Sequence, residues 1–174
     1  MTSVFVPIER LNELSPGDFA AAARALFEAS GPLAVALYAG RPYASYDALI
    51  DAAESIAARL PIDQQIELVN AHPRIGEAAS VVRSQSSLSY REQGYDREVG
   101  LPAEEVAAVY TALADLNREY EDRFGFRFVV FVNKRPKSEI VEVLRKRLHN
   151  ARSIELATAL SALFAIARDR YQSS

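Results

Sequence analysis

The sequence predicts an all-α fold of about seven to eight helices with one short extended segment, and three observations support this. Apolar residues recur at the helical period along most of the chain. Pro and Gly punctuate those runs where helices should start and stop, and only one β-branched and aromatic run departs from the pattern. The 174 residues, 49% hydrophobic and 25% charged, suit one compact domain over residues 1–174 with a sizeable core.

The first helix is expected to open at Ser15-Pro16, with Phe19, Ala22, Ala23, Leu26 and Phe27 on one face, and to stop near Gly31-Pro32. A short segment from Leu33 to Ala39 ends at Gly40. Ser45 then caps a run in which Leu49, Ile50, Ala53, Ile56, Ala57 and Leu60 follow the helical period. Pro61 starts the next helix, which carries Ile62, Ile66 and Val69 towards His72-Pro73. Because a proline ring disfavours helical backbone at the preceding residue, His72 falls at a helix exit.

From Arg74 to Gly100 the pattern loosens into small and polar residues, and Ser80, Ser84, Ser86, Ser87 and Ser89 offer caps for a short helix through Glu92. An irregular, site-forming region is expected here. Pro102 opens the longest periodic stretch, through Val106, Val109, Tyr110, Leu113, Leu116, Asn117, Tyr120 and Phe124, and Gly125 closes it as a left-handed cap. Phe126 to Val132 is extended by propensity and has no partner strand elsewhere, which predicts a buried extended link. Ser138 precedes a helix with Ile140, Val143, Leu144 and Leu148, and Ser153 to about Tyr171 forms the last, with Leu156, Ala159, Leu160, Leu163, Phe164 and Ala167 inward.

Composition removes several functions. Twenty Lys and Arg against 23 Asp and Glu give a formal charge of -3, with no basic excess for a phosphate backbone or an anionic membrane. No nucleic-acid or membrane partner is expected. The absence of Cys excludes thiolate metal sites and a Cys nucleophile, and His72 and His149 are too far apart in sequence to form a short-spaced ligand pair, so no metal is expected. The N-terminal stretch lacks a basic region followed by a long apolar run and contains Glu9 and Glu13, which predicts a cytoplasmic protein.

Three places have residues suited to chemistry. Asn70-Ala71-His72-Pro73-Arg74-Ile75-Gly76 sets an imidazole beside a rigid proline turn and a glycine that permits close backbone approach; it reads as a preorganised acid/base or as a turn with a capping His. Ser89-Tyr90-Arg91-Glu92-Gln93 puts a hydroxyl and a carboxylate three residues apart with an amide adjacent. This is either a polar ligand surface or a capping box with Ser89 at the N-cap. Asn117 to Phe126 leads into Phe128-Val129-Val130-Phe131-Val132, whose backbone groups must find partners. Arg170, near the C-terminus, is either a solvated charge or, if inward, a carboxylate anchor.

In that order, His72-Pro73-x-x-Gly76, Ser89-x-x-Glu92-Gln93, Asn117-x-x-Tyr120-x-x-Arg123-Phe124-Gly125-Phe126-x-Phe128-Val129, and Arg147-Leu148-x-Asn150 with Glu155 and Arg170 resemble the 2-oxo-4-hydroxy-4-carboxy-5-ureidoimidazoline (OHCU) decarboxylases of urate degradation. Arg41-Pro42-Tyr43 is similar to that family's early Arg-Pro-aromatic turn, and the likeness covers about residues 15 to 171. It implies an all-helical, cofactor-free homodimer that decarboxylates a ureidoimidazoline to (S)-allantoin. By motif, it implies that His72 and Glu92 are catalytic, and that Pro73, Ser89, Tyr90, Arg91, Gln93, Phe128, Val129, Val130, Phe131, Val132 and Arg170 bind substrate. Two other readings stay open: a helical protein-interaction module on the same scaffold, or a lyase acting on another ureido acid.

Overall fold

The computed structural model describes residues 5–28, 31–98 and 102–173. Among them are ten α-helices: α1 (Ile8–Glu13), α2 (Pro16–Phe27), α3 (Pro32–Ala39), α4 (Tyr46–Ala57), α5 (Ile62–Asn70), α6 (Ala79–Gln85), α7 (Ser87–Glu92), α8 (Ala103–Phe124), α9 (Lys137–Arg147) and α10 (Arg152–Gln172). A single 3-10 turn, Tyr95–Arg97, follows α7. The count exceeds the expected seven to eight because α1, the two short helices α6 and α7, and this turn are each only one or two turns long. No strand occurs among the described residues, and none of their helices is long and apolar enough to cross a membrane. The chain forms two compact units, Met1–His72 with Leu160–Ser174 and Pro73–Ala159.

The first unit is built from α1 to α5 and the C-terminal part of α10. Ser15 and Ser45 cap α2 and α4 as expected, accepting from the N–H groups of Asp18 at 3.3 Å and Ala48 at 3.1 Å. Phe19, Leu26, Leu37, Ile50, Ala53, Val69 and Ala167 are essentially inaccessible to solvent. Each large apolar side chain among them contributes roughly 1.5–3 kcal/mol. Arg41 ties the turn before α4 to the end of α1, donating to the carbonyls of Asn12 at 2.8 Å and Leu14 at 3.1 Å while lying over the Tyr38 ring.

Helix α2 does not run on to Gly31. It ends at Phe27, and Glu28 takes a left-handed conformation (φ 57°) with its N–H on the Arg24 carbonyl at 2.7 Å. A non-glycine residue rarely adopts that geometry. Nothing in the local sequence marks it.

The second unit holds α6 to α9, the 3-10 turn, the extended link and the start of α10. Tyr120 is its aromatic hub, with Phe124, Phe126 and Phe128 rings at 4.5, 6.0 and 5.3 Å. Gly125 closes α8 with φ 79°, as the sequence predicts. The turn after His72 is fastened to α8 by two contacts: Asn117 Nδ2 donates to the Ile75 carbonyl at 2.9 Å, and Arg74 makes a two-pronged bond to Glu121 at 2.5 and 2.6 Å.

Gly76 in this turn has φ +81°, and a Cβ there would lie 2.8 Å from the Leu113 Cβ. Gly76→Ala combines backbone strain with a clash against a fully buried leucine, so it is expected to cost about 2–4 kcal/mol. Urea unfolding measures this, and a loss below about 0.5 kcal/mol would show that the turn relaxes freely.

Candidate active site

In the first unit, His72 lies just past the C-cap of α5, with its N–H on the Val69 carbonyl at 3.2 Å. Its Nδ1 contacts Glu28 Oε2 at 2.5 Å, and the imidazole is buried. The other oxygen of Glu28 meets Arg170 Nη2 at 3.0 Å. The guanidinium is also buried: its Nη1 donates to the carbonyls of Leu26 at 3.1 Å and Ala25 at 3.4 Å at the end of α2. Two residues that the sequence singles out, His72 and Arg170, therefore share one carboxylate that the sequence reading missed. Of the two readings left open for Arg170, the inward anchor is the one found, and the carboxylate it holds belongs to the chain itself.

The second unit carries the remaining candidates. Ser89 and Gln93 are buried one turn apart, while Glu92 is half-buried and Arg91 exposed. The capping-box reading of Ser89 is corrected: Ser86 is the N-cap of α7, accepting from the Ser89 N–H at 3.0 Å, and Ser89 lies inside the helix. Tyr90 stacks on Tyr95 at 5.3 Å, with the Arg83 guanidinium 4.2 Å from its ring centre. Gln93 Nε2 donates to the Pro73 carbonyl at 3.1 Å, which ties the Ser-x-x-Glu-Gln motif to the start of the same unit. Its Oε1 is buried and accepts no hydrogen bond from any described residue.

Lys137 fixes the backbone of Gln93, a role the sequence reading did not assign. Its Nζ donates to the Gln93 carbonyl at 2.8 Å, pairs with Glu98 at 2.5 Å and lies 3.8 Å from the Tyr95 ring centre. Burial pulls its pKa below the usual lysine value, and pairing with Glu98 only partly offsets this. A signal did exist, because a lysine directly after Pro136 in the first turn of a helix opposes the helix dipole.

The link Phe128 to Val132 is buried or half-buried and finds its backbone partners in arginines rather than in a sheet. Arg147 Nη1 donates to the Val129 carbonyl at 2.7 Å, and Arg135 donates to those of Val132 at 3.0 Å and Phe131 at 2.6 Å. Among the described residues, no hydrogen bond is donated by a backbone N–H of residues 128–132. The carbonyls of Val129, Phe131 and Val132 are thus occupied while the N–H groups of the segment are not, a polarity suited to an oxygen-rich ligand.

Behind the link, Glu155 is wholly buried and accepts from Arg147 Nε at 2.8 Å, Tyr120 Oη at 2.5 Å and Asn150 Nδ2 at 2.7 Å. Burial acts to raise its pKa, but these three hydrogen bonds and the charge of Arg147 outweigh it and hold the carboxyl below the usual range. The same Arg147 therefore supports both the ion pair and the backbone of the extended link. Among the described residues, no group of three or more His, Asp or Glu side chains is arranged to hold a metal.

The family model for OHCU decarboxylase matches residues 12–172. The chain belongs to the OHCU decarboxylase family. It is 30% identical over 165 residues to the 2-oxo-4-hydroxy-4-carboxy-5-ureidoimidazoline decarboxylase of Halalkalicoccus jeotgali, covering 95% of this chain and 89% of that one. It is also 30% identical to a uric acid degradation bifunctional protein of Bacillus sp. strain TB-90, but there the match covers 95% of this chain and only 31% of the relative. The chain thus spans about a third of that bifunctional relative's length. In fold it is similar to a crystal structure of an OHCU decarboxylase in the presence of (S)-allantoin, with TM-score 0.66, 24% identity and coverage of 86% and 94% of the two chains. Within this OHCU decarboxylase family member, His72, Gln93 and Arg170 of the motifs are buried polar residues, a placement that costs stability unless each is paired or used.

Proposed function

We propose that this protein decarboxylates 2-oxo-4-hydroxy-4-carboxy-5-ureidoimidazoline to (S)-allantoin without a cofactor, with His72 and Glu92 as its catalytic groups. The observation that carries the reading is the buried His72 imidazole, which lies within the stretch matched by the family model and has its Nδ1 set against a carboxylate. Such an arrangement directs proton transfer to Nε2.

The substrate has a hydroxyl and a carboxylate on one ring carbon, beside a carbon that carries the ureido group and a C=N bond. When the C–C bond to the carboxylate breaks, CO2 leaves and the electron pair moves into the C=N system, so the substrate is its own electron sink. The protein then has to orient the carboxylate, steady the shifting charge and deliver one proton to a single face. His72 transfers that proton, and Glu92 hydrogen-bonds the hydroxyl and fixes its orientation. Pro73, Ser89, Tyr90, Arg91 and Gln93 line the substrate, and the buried Oε1 of Gln93 suits a ureido N–H. The N–H groups of Phe128 to Val132 receive its oxygens, and Arg170 contributes positive charge.

Loss of freshly generated substrate, followed by circular dichroism of the chiral product, tests this. The protein should accelerate both the decay and the appearance of one enantiomer. Uncatalysed decay to racemic product would overturn it, and turnover of a different ureido acid alone would reassign the substrate. The homodimer and the cytoplasmic setting implied by the family belong to the same proposal, and sedimentation and cell fractionation test them.

A further inference from the structure

We propose that Glu28 is a positioning residue of the reaction: its carboxylate lies against His72 Nδ1 and Arg170 at once and so holds the imidazole in the Nδ1–H tautomer, with Nε2 as the proton-transferring nitrogen. This rests on the assignment of His72 as the acid/base.

The geometry demands a carboxylate. His72 Nδ1 lies 2.5 Å from Oε2, and Arg170 Nη2 lies 3.0 Å from Oε1. A carboxylate offers one oxygen to each neighbour, Oε1 to the guanidinium and Oε2 to Nδ1, whereas an amide offers only one acceptor. The carboxylate itself is anchored twice. Its backbone is fixed in the left-handed conformation at the end of α2, where its N–H bonds to Arg24. Arg170, held on the carbonyls of Leu26 and Ala25, fixes its side chain. His72, Arg170 and Glu28 side chains are 6%, 1% and 10% exposed, so water competes little for these bonds and Arg170 is the countercharge a buried carboxylate requires.

The strained backbone of Glu28 fits this role. A left-handed glutamate is unfavourable and persists where the surroundings over-determine it. Here those surroundings are an imidazole and a guanidinium from far along the chain. A glycine or asparagine would relieve the backbone but supply no shared carboxylate.

The chain has only two histidines, and His149 is exposed, so imidazole 15N NMR on the unmodified protein resolves the question. Neutral His72 should give the Nδ1–H pattern, assigned by comparison with His149→Gln. Glu28→Gln should lose or mix that tautomer and lower kcat at least roughly a hundredfold, as when an orienting carboxylate behind a catalytic histidine is neutralised, with KM changed far less. Glu28→Asp, which keeps both acceptors and the charge, should retain the tautomer and recover part of kcat. An Nε2–H His72 in the unmodified protein, or a folded Glu28→Gln with unchanged kcat, would overturn the role of Glu28. Should Glu28→Gln not fold, the native tautomer and the Asp variant still decide. Full turnover by His72→Asn would instead remove the catalytic assignment, which the tautomer measurement does not depend on.

Discussion

His72→Asn is expected to lower kcat/KM by roughly a hundredfold to ten-thousandfold, the range that a positioned proton-transfer group supplies. Asn is polar and smaller than the imidazole it replaces, and its amide can still donate to Glu28, so the countercharge pairing with Arg170 survives. The melting temperature should therefore move little, and the loss should appear as activity. Chiral product formation, followed by circular dichroism, measures it. A folded variant that makes one enantiomer at the native rate would strip His72 of its role.

Arg147→Met is expected to be the most destabilising single change. It strands the fully buried Glu155 carboxylate and releases the Val129 carbonyl at the same time. Removing one partner of a buried pair costs about 3–5 kcal/mol, which for a chain of this size lowers the melting temperature by on the order of ten degrees. The double variant Arg147→Met with Glu155→Leu should regain part of that loss, because two apolar groups leave no uncompensated charge. A double variant no better than the single one would show that the ion pair is secondary to the Val129 contact.

Acid should weaken this network in a defined direction. The folded-state pKa of Glu155 is depressed from 4.5 because its hydrogen bonds and Arg147 outweigh burial. Its stabilisation is therefore complete above the unfolded value and is lost as pH falls through the lower folded value. Stability measured from pH 6 downward should decline in that acid window. Glu155→Leu within the double variant should flatten the decline.

Helix starts were legible where the signal is local chemistry. Ser15 and Ser45 precede helices and Gly125 ends one, because a cap satisfies orphan backbone groups within a turn of itself, and Pro61 and Pro102 precede helices because a missing N–H costs nothing there. The choice between Ser86 and Ser89 was not legible, since five serines offered the same hydroxyl and packing decides which of them is buried. The motif residues His72, Gln93 and Arg170 could be picked out, but what holds them could not. Glu28 reads as an ordinary helix glutamate, and its pairing with His72 and Arg170 joins distant positions through tertiary structure alone. The extended link was expected, yet its arginine partners were not, because propensity describes a segment's shape and not who answers its carbonyls.

That link has a consequence for how the chain survives at high concentration. Phe126 to Val132 is the stretch best suited by composition to cross-β stacking, aromatic and β-branched with a single charge at Arg127. Arg135 and Arg147 occupy carbonyls that an identical segment from a neighbouring copy would need for edge-to-edge pairing. The guanidinium groups therefore act as gatekeepers as well as scaffolding, keeping three carbonyls of the link from a neighbouring copy.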